Sequence, residues 1–291
     1  MVAFVHKGIT YFRQHGPLGT VQRANAVLQD RMKRVPGGTQ VCHSIDRLLC
    51  LVQRSLDRSF DRQWGTDTTG VIPLKDLSIT SSNAVDGAWY EPAPGKVVAQ
   101  IMAYLPVDFR RFTFIDFGSG KGRILLFVTA YGFARIIGVE FALELHQIAL
   151  RNVEIWKRRQ QPGNIEPLYM DAVEFPIPSD PLIAFFFSPF KHTTLEQVLA
   201  NITTSYRQQP RPIALLFYGH RPDTLALFAR TPFAGRELSA RPDWRRFYHY
   251  RSFLFTSAEV AGVSEHGSES SIKTGSSPRL RPVSEIDGQG L

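Results

Sequence analysis

Apolar residues fall along the chain in two periods that alternate. Short runs of five to seven, rich in Phe, Ile, Val and Leu, occur at 112–117, 135–140, 165–169, 182–187 and 212–218. Their length and β-branched or aromatic content predict strands buried on both faces. Between them, apolar positions recur at helical spacing over 123–131, 143–158, 194–206 and 224–229. Two further runs, 236–241 and 248–255, predict a closing antiparallel pair. Strands that alternate with helices in this way specify a mostly parallel sheet covered on both faces.

Upstream the signal changes. Residues 1–40 show poor periodicity, broken at Gly16-Pro17 and Pro36-Gly37-Gly38. From Val41 to about Arg62, apolar positions Ile45, Leu48, Leu49, Val52, Leu56 and Phe60 predict an amphipathic helix with arginines on its other side. Residues 64–95 are turn-rich yet aromatic, which points to an ordered irregular segment rather than a disordered one. A helix is predicted next, from Lys96 to Leu105. Beyond Ala258 the composition turns to Ser, Gly, Glu and Pro, too poor in apolar side chains to offset its ordering entropy. The expected organisation is a helical extension at 1–63, a domain at 64–258 and a tail at 259–291.

Charge sharpens this division. The first sixty residues hold nine lysines and arginines against three acids, most of the formal excess of +8. Such a segment is either a solvated helix face or a contact for an acidic partner such as nucleic acid. No run approaches the roughly 18 apolar residues of a membrane span, and the start lacks a secretory pattern, so the expected location is cytoplasmic. Cys42 and Cys50 do not form a Cys-x-x-Cys pair, and the eight histidines lack ligand spacing, so no metal site is expected.

The richest chemistry lies at F-T-F-I-D-F-G-S-G-K-G-R, residues 112–123. A strand ends in Asp116 and passes through Gly118, Gly120 and Gly122 into a helix; glycines so spaced admit positive φ and let backbone approach a ligand. The next strand closes on Glu140, where an acid is placed to grip ribose hydroxyls. The Walker loop fails because Lys121 is followed by Gly122 rather than Ser or Thr, and the dinucleotide fingerprint fails on the spacing of its last glycines.

What remains, D-x-G-x-G-x-G with an acid ending the following strand, resembles motifs I and II of class I S-adenosylmethionine-dependent methyltransferases. The resemblance covers roughly Trp64 to Ala258 by motif order. It implies a Rossmann-like, seven-stranded α/β sheet in the order 3-2-1-4-5-7-6, mostly parallel with one antiparallel strand. It also implies S-adenosyl-L-methionine as cofactor. Asp116 would orient the methionine amino group; backbone at Gly118, Ser119 and Gly120, with Gly122 completing the turn, would line the methionine and ribose portion. Glu140 would accept the ribose hydroxyls. Asp171 would meet the adenine amino group, with Met170 or Ala172 on the ring. Tyr90, in the Y-E-P-A-P element, resembles a loop that some non-SET lysine methyltransferases fold over the methionine end.

Ser188-Pro189-Phe190 stands where the family carries its acceptor motif, with serine in place of an amide or acid. That departure argues against base methylation and leaves a nitrogen of a protein side chain or a small amine as the expected acceptor. Tyr218 and His220, at the end of the next strand, are placed to reach it. Two other readings stand beside this one: a catalytically silent cofactor-binding module whose basic extension meets an acidic partner, and a nucleotide- or dinucleotide-dependent enzyme that uses the turn differently.

Overall fold

A computed structural model describes residues 58–238, apart from 160, 162, 220 and 221, together with residues 251–260. The basic segment, all but the last turn of its amphipathic helix, both cysteines, His220 and the serine-rich tail lie outside the described residues.

Seven strands form one sheet in the order β3-β2-β1-β4-β5-β7-β6. They are β1 (Thr113–Phe117), β2 (Arg135–Glu140), β3 (Ile165–Tyr169), β4 (Leu182–Phe186), β5 (Ile213–Gly219), β6 (Ala234–Leu238) and β7 (Arg251–Thr256). Strands β1 to β5 pair in parallel, and β7 runs antiparallel to both β5 and β6. This is the class I methyltransferase topology.

The apolar runs become strands because both faces are covered. Every residue of β1, β4 and β5 is buried. Edge strand β6 instead exposes four of its five residues. Helices α1 (Gly95–Met102), α2 (Arg123–Val128) and α3 (Leu143–Arg158) pack on one face around Phe114, Ile136, Phe185 and Leu216. Helices α4 (His192–Gln208) and α5 (Pro222–Phe228) cover the other around Ile115, Phe117, Phe186 and Phe217. Phe117 stacks on Phe186 across β1 and β4, with ring centroids 5.1 Å apart. Offset aromatic pairs of this kind contribute about 1 kcal/mol beyond their buried area.

Several expected elements come out with other bounds: α2 ends at Val128 and continues as a 3-10 turn to Tyr131, α5 begins at Pro222 rather than 224, and β6 begins at Ala234 rather than 236. The first helix of the domain stops at Met102 rather than Leu105. The helix expected at 194–206 is a turn longer, because Asp86 takes the N–H and hydroxyl of Thr194 at 3.2 Å and satisfies its first turn from outside.

The turn-rich segment before the sheet is held by side chains. Asp61 accepts the N–H groups of Thr68 and Thr69 and the hydroxyls of Thr66 and Thr68, at 2.7–2.9 Å. Buried Asn152 of α3 exchanges hydrogen bonds with the backbone of Asp67, both at 2.8 Å. Farther on, Glu144 accepts the Ser78 N–H at 3.0 Å. Short 3-10 turns at Leu74–Asp76 and Ser82–Asp86 complete a strap across the carboxyl ends of the central strands.

Candidate functional site

Parallel strands expose their carboxyl ends at one edge, and the turn from β1 to α2 opens there. Gly118, Gly120 and Gly122 adopt φ of 79°, 54° and 81°, a region costly for any other residue. Space adds a second constraint. A Cβ on Gly118 would lie 2.5 Å from Pro189 Cβ, and one on Gly120 would lie 2.3 Å from the Tyr90 ring.

Glu140 closes this turn from the next strand. Its Oε2 accepts the Gly120 N–H and its Oε1 the Ala142 N–H, both at 2.8 Å, so the carboxylate is buried and yet partnered. Burial pushes its pKa up to about 7, against the pull of those two donors. Asp116, buried on β1, is raised well above the usual carboxylate range by desolvation and then by the charge of Glu140. Two adjoining acids in a dry site favour an incoming cation or hydroxyl donor.

The turn and Glu140 line a cleft of about 370 Å³. Leu74, Leu77, Ala88, Trp89 and Tyr90 of the strap line it together with Phe187, Ser188, Pro189 and Phe190. Tyr90 is fixed at both ends: its hydroxyl donates to the Thr68 carbonyl at 2.7 Å and its backbone bridges Ile72. The strap and the turn after β4 are joined directly. Gly87 bridges Phe190, the Ala88 N–H donates to the Pro189 carbonyl at 3.2 Å, and the Lys191 N–H to the Asp86 carbonyl at 2.7 Å. Ser188 has φ of 45°, the single positive value on a non-glycine among the described residues, and its Oγ faces the Tyr218 carbonyl at 3.4 Å.

A second, water-sized recess of about 10 Å³ adjoins the cleft and shares Gly118, Phe141 and Phe190 with it. Met170, Asp171, Ala172 and Asn83 line it as well. The Asp171 carboxylate is already engaged: Oδ1 accepts the Val173 N–H at 2.9 Å, and Oδ2 accepts the Asn83 Nδ2–H at 2.9 Å and the Ser81 hydroxyl.

The structure thus gathers Tyr90, Gly118, Gly120, Glu140, Ser188, Pro189 and Phe190 around one cleft, and Asp171 and Ala172 around its extension. It does not bring Ser119 or Gly122 to the lining. Ser119 turns its side chain onto β2, where a Cβ on Gly138 would lie 2.7 Å from its Oγ. Gly122 lies at the start of α2 against Ala149 of α3, at 3.3 Å for an added Cβ, so the third glycine serves helix packing. Asp116 sits behind the turn rather than on the cleft surface.

Sequence reading missed the strap's latches. Lys121 is buried and donates to Asp67 Oδ1 at 2.7 Å and to the Thr69 carbonyl at 2.8 Å. Arg123 donates to Thr68 Oγ1 at 3.2 Å and lies over the Phe60 ring. Among the described residues, no group of three or more potential metal ligands occurs and no helix is long and apolar enough to cross a membrane.

No family model matches the chain, and no curated protein matches it. Among solved structures, it is similar to a magnesium protoporphyrin IX methyltransferase from Synechocystis with bound S-adenosylmethionine, at 16% identity over 56% of this chain and 78% of that one, TM-score 0.40. It is similar to an RNA methyltransferase from Salinibacter ruber in complex with S-adenosylhomocysteine, at 18% identity over 57% and 92%, TM-score 0.41. A putative methyltransferase from Escherichia coli shares 16% identity over 65% and 99%, TM-score 0.44. The fold assignment itself stands on the strand order.

Proposed function

We propose that this chain is an S-adenosylmethionine-dependent methyltransferase whose acceptor is a nitrogen of a protein side chain or a small amine. The observation that carries the reading is a single cleft lined both by the Glu140-clamped glycine turn and by Ser188-Pro189-Phe190. Bound S-adenosylmethionine would supply an electrophilic methyl group. The chain's own residues fit it: backbone at Gly118 and Gly120 lines the cleft, and Glu140, with buried Asp116 behind the turn, offers carboxyl groups whose ionised form an incoming cation would favour.

In the same cleft, Trp89, Tyr90, Phe187 and Phe190 supply aromatic surface that suits an alkylammonium stem. The Ser188 hydroxyl and the nearby Tyr218 carbonyl are acceptors for N–H. An acceptor nitrogen must lose its proton to present a lone pair, and a water-poor, aromatic-walled cleft lowers the pKa of an amine. In-line placement with water excluded then supplies most of the rate, and no dedicated base is required.

Calorimetric titration and thermal melts with S-adenosylhomocysteine, NAD and ATP test the cofactor. The homocysteine analogue is expected to bind and, at a hundred times its Kd, to add about 2.7 kcal/mol of stability. A melt that responds to NAD or ATP instead would overturn the reading of the turn. Methyl-tritium transfer to lysate fractions of protein, nucleic acid and small molecules tests the acceptor: label in the protein or small-amine fraction is expected. Cofactor binding with no transfer to any fraction would make the chain a silent binding module.

A further inference from the structure

Resting on the cofactor reading above, we infer that Asn83, a residue of the strap and not of the sheet, is the group that selects the adenine amino group. Hydrogen bonds at Asp171 leave it little capacity for a ligand. A carboxylate only accepts, and it offers about four lone-pair sites on two oxygens. Three donors of this chain already occupy Asp171: the Val173 N–H, the Ser81 hydroxyl and the Asn83 carboxamide. The acid expected to take the exocyclic amine is therefore largely spent on holding the strap.

The same hydrogen bonds fix the carboxamide. Because Asp171 accepts only, the Asn83 side chain turns its NH₂ toward it, and Oδ1 is left as the acceptor. No hydrogen bond to Oδ1 is made among the described residues, whereas the Asn83 backbone N–H is tied to Ser81 Oγ at 3.0 Å. Ser81 caps the 3-10 turn that carries Asn83, so the amide is held from its backbone and its Nδ2 together. It also lines the recess at the end of the cleft.

Size supports the assignment. At about 10 Å³, the recess holds one water-sized group, which suits an amino substituent and not a purine ring. The ring itself would lie where recess and cleft meet, between Phe141 and Phe190, which line both. There a 6-amino group donates to Asn83 Oδ1, and a 6-oxo group would set one acceptor against another. A site with a placed polar partner rejects the analogue that lacks the matching group more strongly than an apolar pocket does.

The test compares S-adenosylhomocysteine with its deaminated 6-oxo analogue, S-inosylhomocysteine, by calorimetry on the full chain. The native chain is expected to prefer the adenine form by about a hundredfold, Asn83→Ala to bring that ratio below about fivefold, and Ser81→Ala to retain most of it. Thermal melts of the apo variants report on folding. An Asn83→Ala chain that melts normally and keeps the hundredfold preference overturns the inference and returns the amino group to Asp171 or the backbone. A variant that binds the adenine form more tightly also overturns it, since Asn83 would then be an internal occupant that adenine displaces. Failure of the native chain to bind either compound sinks the cofactor reading itself, an outcome separate from both.

Discussion

Two turns meet at the cleft, and they reach positive φ by opposite means. The turn after β1 places glycines at 118, 120 and 122, for which that conformation carries no steric penalty. The turn after β4 places Ser188 there, at φ 45°. An L-residue in this region costs about 1–2 kcal/mol, and the strap is what holds it, through the Ala88–Pro189 hydrogen bond and the Gly87–Phe190 bridge. One turn is shaped by its own sequence; the other is shaped by a segment a hundred residues upstream. The glycine turn is thus built in, while the turn after β4 depends on the strap being seated.

The contrast is broken most severely at Gly120. Gly120→Ala would bring a Cβ to 2.3 Å from the Tyr90 ring in addition to the cost of its φ. A loss of roughly 3 kcal/mol in stability is expected, read as a fall of about 10 °C in Tm, with cofactor affinity reduced at least a hundredfold. A Gly120→Ala chain that melts and binds normally would show that Tyr90 moves freely and that the turn is not constrained by it.

Glu140 tests the same side through charge. Glu140→Ala is expected to weaken S-adenosylhomocysteine by on the order of 2 kcal/mol, about thirtyfold, by calorimetry. The pH dependence has a definite sign. The folded value of about 7 exceeds the ordinary 4.5, so between these values the folded chain binds more protons than the unfolded one. Stability of the ligand-free protein therefore falls as pH rises from about 4.5 to about 7, by on the order of 3 kcal/mol from this group. Buried Asp116, raised in the same direction, adds to the slope. Ligand donors favour the ionised form, so affinity is expected to rise through pH 7. Melts of Glu140→Gln should show a flatter profile; an unchanged slope would transfer the titration to Asp116.

The smallest effect belongs to the other turn. Ser188→Gly relieves the left-handed strain but adds chain entropy, for a net gain of about 0.5 kcal/mol and a Tm one or two degrees higher. Turnover on the identified acceptor should fall while cofactor affinity holds. Loss of more than 1 kcal/mol in stability would mean that the serine hydroxyl, not the strap, secures this turn.

The same contrast explains what was legible beforehand. Arg135–Glu140, Leu143–Arg158 and Ile165–Tyr169 appear in the structure with the bounds expected from periodicity, although only the first is buried over most of its length; the helix buries one face, and the edge strand Ile165–Tyr169 buries only its first residue. Strand order followed from the resemblance, and Gly118, Gly120 and Glu140 meet because glycine spacing announces a turn. The strap gave no such signal. Its 3-10 turns have no repeating apolar face, and its latches join residues far apart: 54 positions separate Lys121 from Asp67, and 88 separate Asn83 from Asp171. Such pairs leave no local pattern. Glu140 is intermediate, because the sequence placed the acid but not the two N–H groups that clamp it.

The contact between Gly118 and Pro189 also limits how this sequence can drift. A side chain at 118 meets two independent objections, its φ of 79° and a proline carbon 2.5 Å from the new Cβ. Shortening residue 189 would remove only the second, so no single compensating change restores a substituted Gly118. Descendants of this chain should therefore keep glycine at 118 whatever methyl acceptor they come to use, and should diversify at strap positions such as Val85 and Trp89, whose side chains are mostly in solvent.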